Sequence, residues 1–331
     1  MKIGKLSNEI LEKIVFENIS NKRKEVLVGS GIGEDNAIID FGHEVCIMST
    51  DPITGATKDI GKLAIYISCN DVASSGAEPI GVLLTIMAPP ETTEKDIDLI
   101  MSQAGKASKE LNVEIMGGHT EITDAVTRIV ISTTVIGKQL KKNMLNSKNT
   151  KVGDKVLITK YAGIEGTSII AKELEQYLEN KMDKEKIREA QSMGSSISVV
   201  KEGVICGKIG VKYMHDITEG GVLGAIWEGA VATNKGIKIY KDLIPMKEVT
   251  KEIASILNID PYRLISSGSM LIISEENKIE TIENQLAKEN IKVKVIGEII
   301  EEGMLMVENG ETKEIESPSS DELYKALSIL D

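Results

Sequence analysis

Between Ser49 and Pro79 the chain reads STDPITGATKDIGKLAIYISCNDVASSGAEP, and no other stretch constrains the fold as strongly. A β-branched and apolar run, Val45–Ser49, ends at Thr50 and Asp51. This predicts a buried strand opening onto a loop. Gly55, Gly61 and Lys62 follow, and Ile60, Leu63, Ala64 and Ile67 recur at helical spacing. A helix is therefore expected from a cap at Thr57 or Asp59 to about Ser74, with Asn70 and Asp71 in its later turns. Carboxylates spaced this way, with glycines and a lysine between them, suit a hard cation and phosphate. The plain alternative for Asp71 is a solvated helix residue, although its small neighbours Ala73–Gly76 give a charge there little local reason.

Upstream, VGSGIGEDNAIID places Gly29, Gly31 and Gly33 before Glu34, Asp35 and a strand at Ala37–Ile39. The G-x-G-x-G spacing is not the dinucleotide fingerprint. Either the loop is a mobile surface segment, or its backbone approaches a phosphate closely. Between Gly55 and Gly61 lie five residues, and Leu63 stands where a P-loop needs Ser or Thr, so no P-loop is assigned. Lys62 reaches either phosphate or solvent.

Residues 7–18 carry Ile10, Leu11, Ile14 and Val15 on one helical face. Ile80–Ala88 is an apolar strand stopped by Pro89 and Pro90, and Thr93 with Asp96 forms a capping box for a helix to about Leu111. Val113–Met116 is a short strand, after which GGHTE (117–121) presents His119, Thr120 and Glu121 at a strand end. His119 is either hydrogen-bonded scaffold or a base. In RIVISTTVIG the alternation Ile129, Ile131, Thr133, Val135 predicts a long half-buried strand.

The polar run 141–154 marks a domain boundary, giving domains 1–145 and 150–331. In the second half, LITK (157–160) is a strand, and GIEGTS (163–168) is expected to offer a backbone anion site to a helix starting near Thr167. A strand ends at Met214 in VKYMHDITEGGVLGAIWE, followed by a polar turn and a helix. Asp216 or Thr218 caps that helix, binds metal and phosphate, or divides the roles with its neighbour. The remainder alternates strands and helices to the C-terminus.

A net charge of −12 and a pI near 5.0 disfavour a broad nucleic-acid surface. A local magnesium ion still lets an acidic protein hold a nucleotide. No apolar stretch is long enough to span a membrane. Cys46, Cys69 and Cys206 are far apart and form no CxxC pair, which points to a reduced cytoplasmic chain.

Taken in order, GIGEDNAII, STD, DIGKLAIYISCNDVASSGAEP, GGHTE and HDITEGGVLGAIWE resemble the PurM-like superfamily. It includes AIR synthase, thiamin-monophosphate kinase, selenophosphate synthetase and the hydrogenase maturation factor HypE. DIGKLA and the DPYRL segment at 260–264 are most similar to HypE. The resemblance implies a mixed α/β chain of two domains, the first contributing strands to a dimeric β-barrel and the second an α/β sandwich. It implies ATP and Mg²⁺ bound in a cleft between the domains of a homodimer.

Matched residue by residue, Asp35, Asp51, Asp71 and Asp216 stand at the metal-binding acids, with Glu34 in place of the usual first Asp of the glycine loop. Gly31, Gly33, Lys62, Asn70, Gly117, Gly118, Thr218, Gly220 and Gly221 stand along the nucleotide. His119, Glu121 and Lys62 are the candidates for catalysis. The implied chemistry activates an amide, carbonyl or phosphate acceptor through the ATP γ-phosphate. In HypE this dehydrates a thiocarbamate on a C-terminal cysteine. Here the chain ends at Asp331 and its last cysteine is Cys206, so that carrier is expected to be absent, and GGHTE replaces HypE's GDTKV as in AIR synthase. A hydrogenase maturation partner is expected, and the small-molecule acceptor is left open. The alternatives are a nucleotide-binding regulatory or assembly subunit without turnover, and HypE chemistry on a cysteine supplied in trans.

Overall fold

The computed structural model describes residues 6, 10–31, 36–54, 59–318 and 320–330. Gly33, Glu34, Asp35, Gly55 and Thr57 lie outside them. The chain divides into two compact units, one of residues 1–64 and 78–142, the other of 65–77 and 143–331.

In the first unit six strands form one sheet: β1 (Val26–Val28), β2 (Ala37–Asp40), β3 (Glu44–Ile53), β4 (Glu78–Ala88), β5 (Glu114–Ile122) and β6 (Val130–Leu140). Their order is β1-β2-β3-β6-β4-β5. Neighbours are antiparallel except β4 and β5, which are parallel and joined through a helix, Glu94–Leu111. The Thr93 side chain accepts from the Asp96 amide while the Asp96 carboxylate accepts from the Thr93 amide, completing the expected capping box. That helix buries Ile100, Ala104 and Ala107, an i, i+4, i+7 stripe. On β6 the predicted alternation places Ile131, Thr133 and Val135 in the core.

Three expectations change here. β3 does not stop at Asp51 but continues to Ile53, with Asp51 opposite Thr133 and Pro52 opposite Ser132. GGHTE is not a strand end, because it lies within β5. Residues 11–18 form two short turns of π and 3₁₀ type that bury no side chain, so the helical stripe at Ile14 and Val15 stays exposed.

Helix α1 (Ile60–Ser74) starts in the first unit and ends in the second. Its apolar residues from Ile60 to Ala73 are buried almost all round, beyond the single face the spacing suggests. With the helix 94–111 named α2, the second unit holds α3 (Ile164–Glu173), α4 (Glu175–Glu179), α5 (Lys184–Ser192), α6 (Val200–Ile209), α7 (Gly221–Thr233), α8 (Glu248–Leu257), α9 (Ile279–Lys288) and α10 (Glu322–Leu327).

Its sheet runs β13-β12-β9-β11-β7-β10-β8, from β7 (Lys155–Thr159), β8 (Tyr213–Asp216), β9 (Gly236–Tyr240), β10 (Met270–Ser274), β11 (Val293–Ile300), β12 (Met304–Glu308) and β13 (Glu311–Glu314). Strand periodicity sorts the core. Val156, Ile158, Leu271 and Ile273 pack with Val222, Leu223 and Ile226 of α7. Leu157, Met270 and Ile272 pack with Cys206 of α6 and with Ile282 and Leu286 of α9. Helices thus cover both faces of the sheet, an α/β sandwich.

Candidate functional site

In the first unit Asp51 sits mid-strand on β3, half-buried, and its Oδ2 accepts from the Ser49 hydroxyl at 3.4 Å. Lys62, in the first turn of α1, is half-buried. The register of β5 on β4 slips by one residue at Met116, just before Gly117 and Gly118 pair with Leu83 and Leu84. A Cβ on Gly118 would lie 1.8 Å from the Leu84 carbonyl oxygen, so strand packing alone demands glycine there. His119 Nε2 lies 3.4 Å from Glu121 Oε2 on the open edge of the sheet, with both side chains more than half exposed (67% and 54%). An exposed pair of this kind contributes little to stability.

In the second unit the end of α1 carries Asn70 and Asp71. Asp71 is only 7% exposed, so it is not a solvated helix residue. Asn70 is fully buried, its Nδ2 donating to the Ile197 carbonyl at 2.9 Å and its Oδ1 accepting from the Val199 amide at 2.8 Å. Lys160 holds the same segment, donating to the carbonyls of Ser198 (2.6 Å) and Ser196 (3.1 Å) and pairing with buried Glu202 at 2.8 Å. Two side chains from distant parts of the sequence, Asn70 and Lys160, thereby fix the backbone of 196–199 ahead of α6.

Asp216 closes β8 and is 1% exposed. β8 runs two residues beyond Met214 because Met270 of β10 pairs opposite Asp216. The cap of α7 is Gly220, with no side-chain capping bond, so neither Asp216 nor Thr218 is the N-cap. The Gly221 amide donates to the Thr218 carbonyl at 3.1 Å, and the Gly220 amide to Asp321 Oδ2 at 2.7 Å. Gly221 has a φ of +61°, and a Cβ on it would lie 2.6 Å from the Tyr262 carbonyl oxygen. The double glycine is what lets α7 start against the DPYRL segment. Beside Asp216, His215 Nε2 lies 2.8 Å from Glu228 Oε2.

The anion site expected at 163–168 is not there. α3 begins at Ile164, three residues early, and the amides of Gly163, Gly166 and Thr167 go to Ser266 Oγ, the Ile265 carbonyl and the Gly163 carbonyl. The same turn buries Glu165, whose Oε2 has no hydrogen-bond partner. Burial pushes its carboxyl up to about 7 against the opposing effect of the Ser267 side chain, and the nearby charges of Asp321, Glu219 and Asp216 push it further up. Burial also raises Asp321, even though three backbone amides donate to it. A negative field of this kind repels free anions and favours a divalent cation or a protonated acid.

Sequence reasoning missed Glu165 and Asp321. The available signals were a lone acid among the small residues of GIEGTS and an Asp one position before a short helical run. Among the described residues no three His, Cys, Asp or Glu side chains gather into a metal cage. Cys69 and Cys206 are buried, their thiols pushed up to about 12, and Cys46 is also raised by burial. None of the three is an activated nucleophile near neutral pH.

Comparison with known proteins agrees with this architecture. The AIR synthase related protein N-terminal domain model matches residues 33–139, and the corresponding C-terminal domain model matches 151–308. A putative hydrogenase expression/formation protein of Methanocaldococcus jannaschii is 28% identical over 286 residues, covering 84% of this chain and 82% of that protein. The carbamoyl dehydratase HypE of Bradyrhizobium diazoefficiens is 26% identical over 248 residues, covering 73% and 70%. The crystal structure of the hydrogenase maturation protein HypE in complex with ATP superposes with a TM-score of 0.71 at 19% identity, covering 98% of each chain. With both domain models matched in order, the chain belongs to the AIR synthase related protein family and has its PurM-like fold.

Proposed function

We propose that this protein is an ATP- and Mg²⁺-dependent enzyme of the HypE-like group. It uses the ATP γ-phosphate to activate the oxygen of an amide, carbonyl or phosphate acceptor, in the service of hydrogenase maturation. The observation that carries this reading is the buried Asn70–Asp71 pair: Asn70 is fixed at both ends of its amide, which sets Asp71 on a rigid helix turn. Similarity to a carbamoyl dehydratase HypE and to a HypE that binds ATP supports it.

The donor set is all oxygen, which fits magnesium. In nucleotide sites Mg²⁺ takes one or two carboxylates and completes its shell with phosphate and water. Asp35, Asp51, Asp71 and Asp216 are the proposed acids, of which one or two would bind each magnesium ion, and bound magnesium would neutralise charge on the transferring phosphoryl group. Lys62 is the proposed phosphate contact from α1, with Gly31, Gly33 and Thr218 beside the nucleotide. Asn70, Gly118 and Gly221 hold the surrounding backbone in place.

We also propose that the chain works as a homodimer through β5. This edge strand exposes Met116 and Ile122, next to Ile80 and Leu83 of β4. An open edge with exposed apolar side chains favours pairing with a second copy.

A second reading is a nucleotide-binding subunit without turnover. It is favoured by the setting of His119 and Glu121, whose side chains are 67% and 54% exposed on the sheet edge. Phosphate release from ATP, measured with and without carbamoyl and amide acceptors, separates the two. Acceptor-stimulated turnover supports the enzyme; tight ATP retention without hydrolysis supports the subunit.

A further inference from the structure

Residues 309–331 lie beyond both matched domain models, yet they reach back to the loop that carries Asp216 and Thr218. Asp321, Tyr324 and Pro318 touch the loop, and further bonds anchor the segment. Asp321 is 4% exposed, and its Oδ2 accepts from the Gly220 amide at 2.7 Å. Its Oδ1 accepts from the Ile265 amide at 3.2 Å and from the Leu323 amide at 2.8 Å. The Tyr324 hydroxyl donates to Glu219 Oε1 at 3.1 Å. Pro318 lies over the same turn, 3.5 Å from where a Cβ on Gly220 would stand and 3.8 Å from one on Gly224. Further along, Arg263 Nη2 donates to the Glu316 carbonyl at 3.3 Å.

Capping α10 explains only the Leu323 bond. The bonds to Gly220 and Ile265 belong to other parts of the unit, and both oxygens of the side chain are needed to make them. A carboxylate supplies two acceptor oxygens, whereas an asparagine supplies one. That requirement accounts for a buried acid placed next to Glu219, where neighbouring charge opposes it.

We propose that Asp321 is a positioning residue. Residues 316–318 and 320–324 form a strap that holds the 216–221 loop, and with it Asp216 and Thr218, in the conformation that receives the nucleotide's metal and phosphate. This rests on the nucleotide reading above.

The test uses the full chain and magnesium with a non-hydrolysable ATP analogue, titrated by calorimetry, together with amide hydrogen exchange at Gly220. Asp321→Asn is expected to lose exchange protection at Gly220 and to bind about tenfold more weakly, the size of effect that loss of a charged hydrogen bond produces. Ala326→Gly, which loosens the same C-terminal helix without touching the loop, is expected to lower the melting temperature and leave affinity unchanged. Wild-type binding with equal affinity in Asp321→Asn overturns the strap alone. A wild type that binds no nucleotide overturns the nucleotide reading, and the strap with it. If Asp321→Asn does not fold, Tyr324→Phe decides: binding about threefold weaker supports the strap, and unchanged binding overturns it.

Discussion

Asn70 and Val199 stand 129 residues apart in sequence and are joined by a 2.8 Å hydrogen bond from the Val199 amide to the Asn70 side chain. The other end of the same side chain holds the Ile197 carbonyl. Asn70→Ala leaves a buried amide and a buried carbonyl without partners. The expected loss is about 1–3 kcal/mol of stability for each group left unsatisfied, read by urea unfolding. Asn70→Asp keeps an acceptor for Val199 but faces Ile197 with a second acceptor, so it is expected not to rescue. Wild-type stability in Asn70→Ala would show that the bridge carries no weight.

Lys160 and Glu202 form a pair whose side chains are 15% and 2% exposed. Removing the lysine alone strands a buried carboxylate. Lys160→Met is expected to destabilise by about 3–5 kcal/mol, while the double change Lys160→Met with Glu202→Leu recovers only the part owed to the stranded carboxylate, because the Ser196 and Ser198 carbonyls still lose their donor. A double-mutant cycle measures the coupling. Additive losses would mean that the two charges do not depend on each other.

Glu165 makes a pH-dependent prediction. Its carboxyl ordinarily titrates at 4.5 and is raised in the folded chain to about 7, chiefly by burial. Between those values the folded chain keeps a proton that the unfolded chain has released, so stability falls as pH rises through this window. The full penalty is present above about pH 7 and amounts to about 3 kcal/mol as an upper bound. Glu165→Gln is expected to be more stable than wild type at pH 8 and to show no advantage near pH 4.5. Parallel stability curves for the two proteins across this range would refute the assignment.

At the edge of the first sheet, Ile122 on β5 is 53% exposed. Ile122→Lys is expected to convert a dimer into a monomer in sedimentation equilibrium, since a charge within an apolar strand pairing is poorly tolerated. A wild type that sediments as a monomer would remove the proposed partner.

Local signals in the sequence carried a good part of the fold. The Thr93–Asp96 box and the Ile131, Thr133, Val135 alternation were legible because each depends on residues a few positions apart. Long-range pairing hid the rest. Pro52 removes a backbone donor, yet β3 runs on through it with Ser132 of β6 opposite. His215 and Asp216 look like a turn until β10 pairs with them.

Of the proposed site, the sequence shows residue types in order, and the contacts those residues make are not readable from it. Asn70 reads as a phosphate neighbour, whereas its amide is taken up by backbone 127 and 129 residues away. Gly118 and Gly221 read as room for phosphate, and strand or helix packing already requires glycine at both. Asp321 gave no sign of its reach to Gly220, because nothing in the local sequence shows where a C-terminal segment docks.

Whether the aspartates grip a nucleotide's magnesium is decided by calorimetric titration of a non-hydrolysable ATP analogue, with Mg²⁺ or with EDTA, into wild type, Asp51→Asn, Asp71→Asn and Asp216→Asn. The expected result is magnesium-dependent binding by the wild type and at least about a tenfold loss in each variant, the loss of one charged contact, in proteins that still unfold cooperatively. Equal affinity in all four proteins, or wild-type binding indifferent to EDTA, would contradict it.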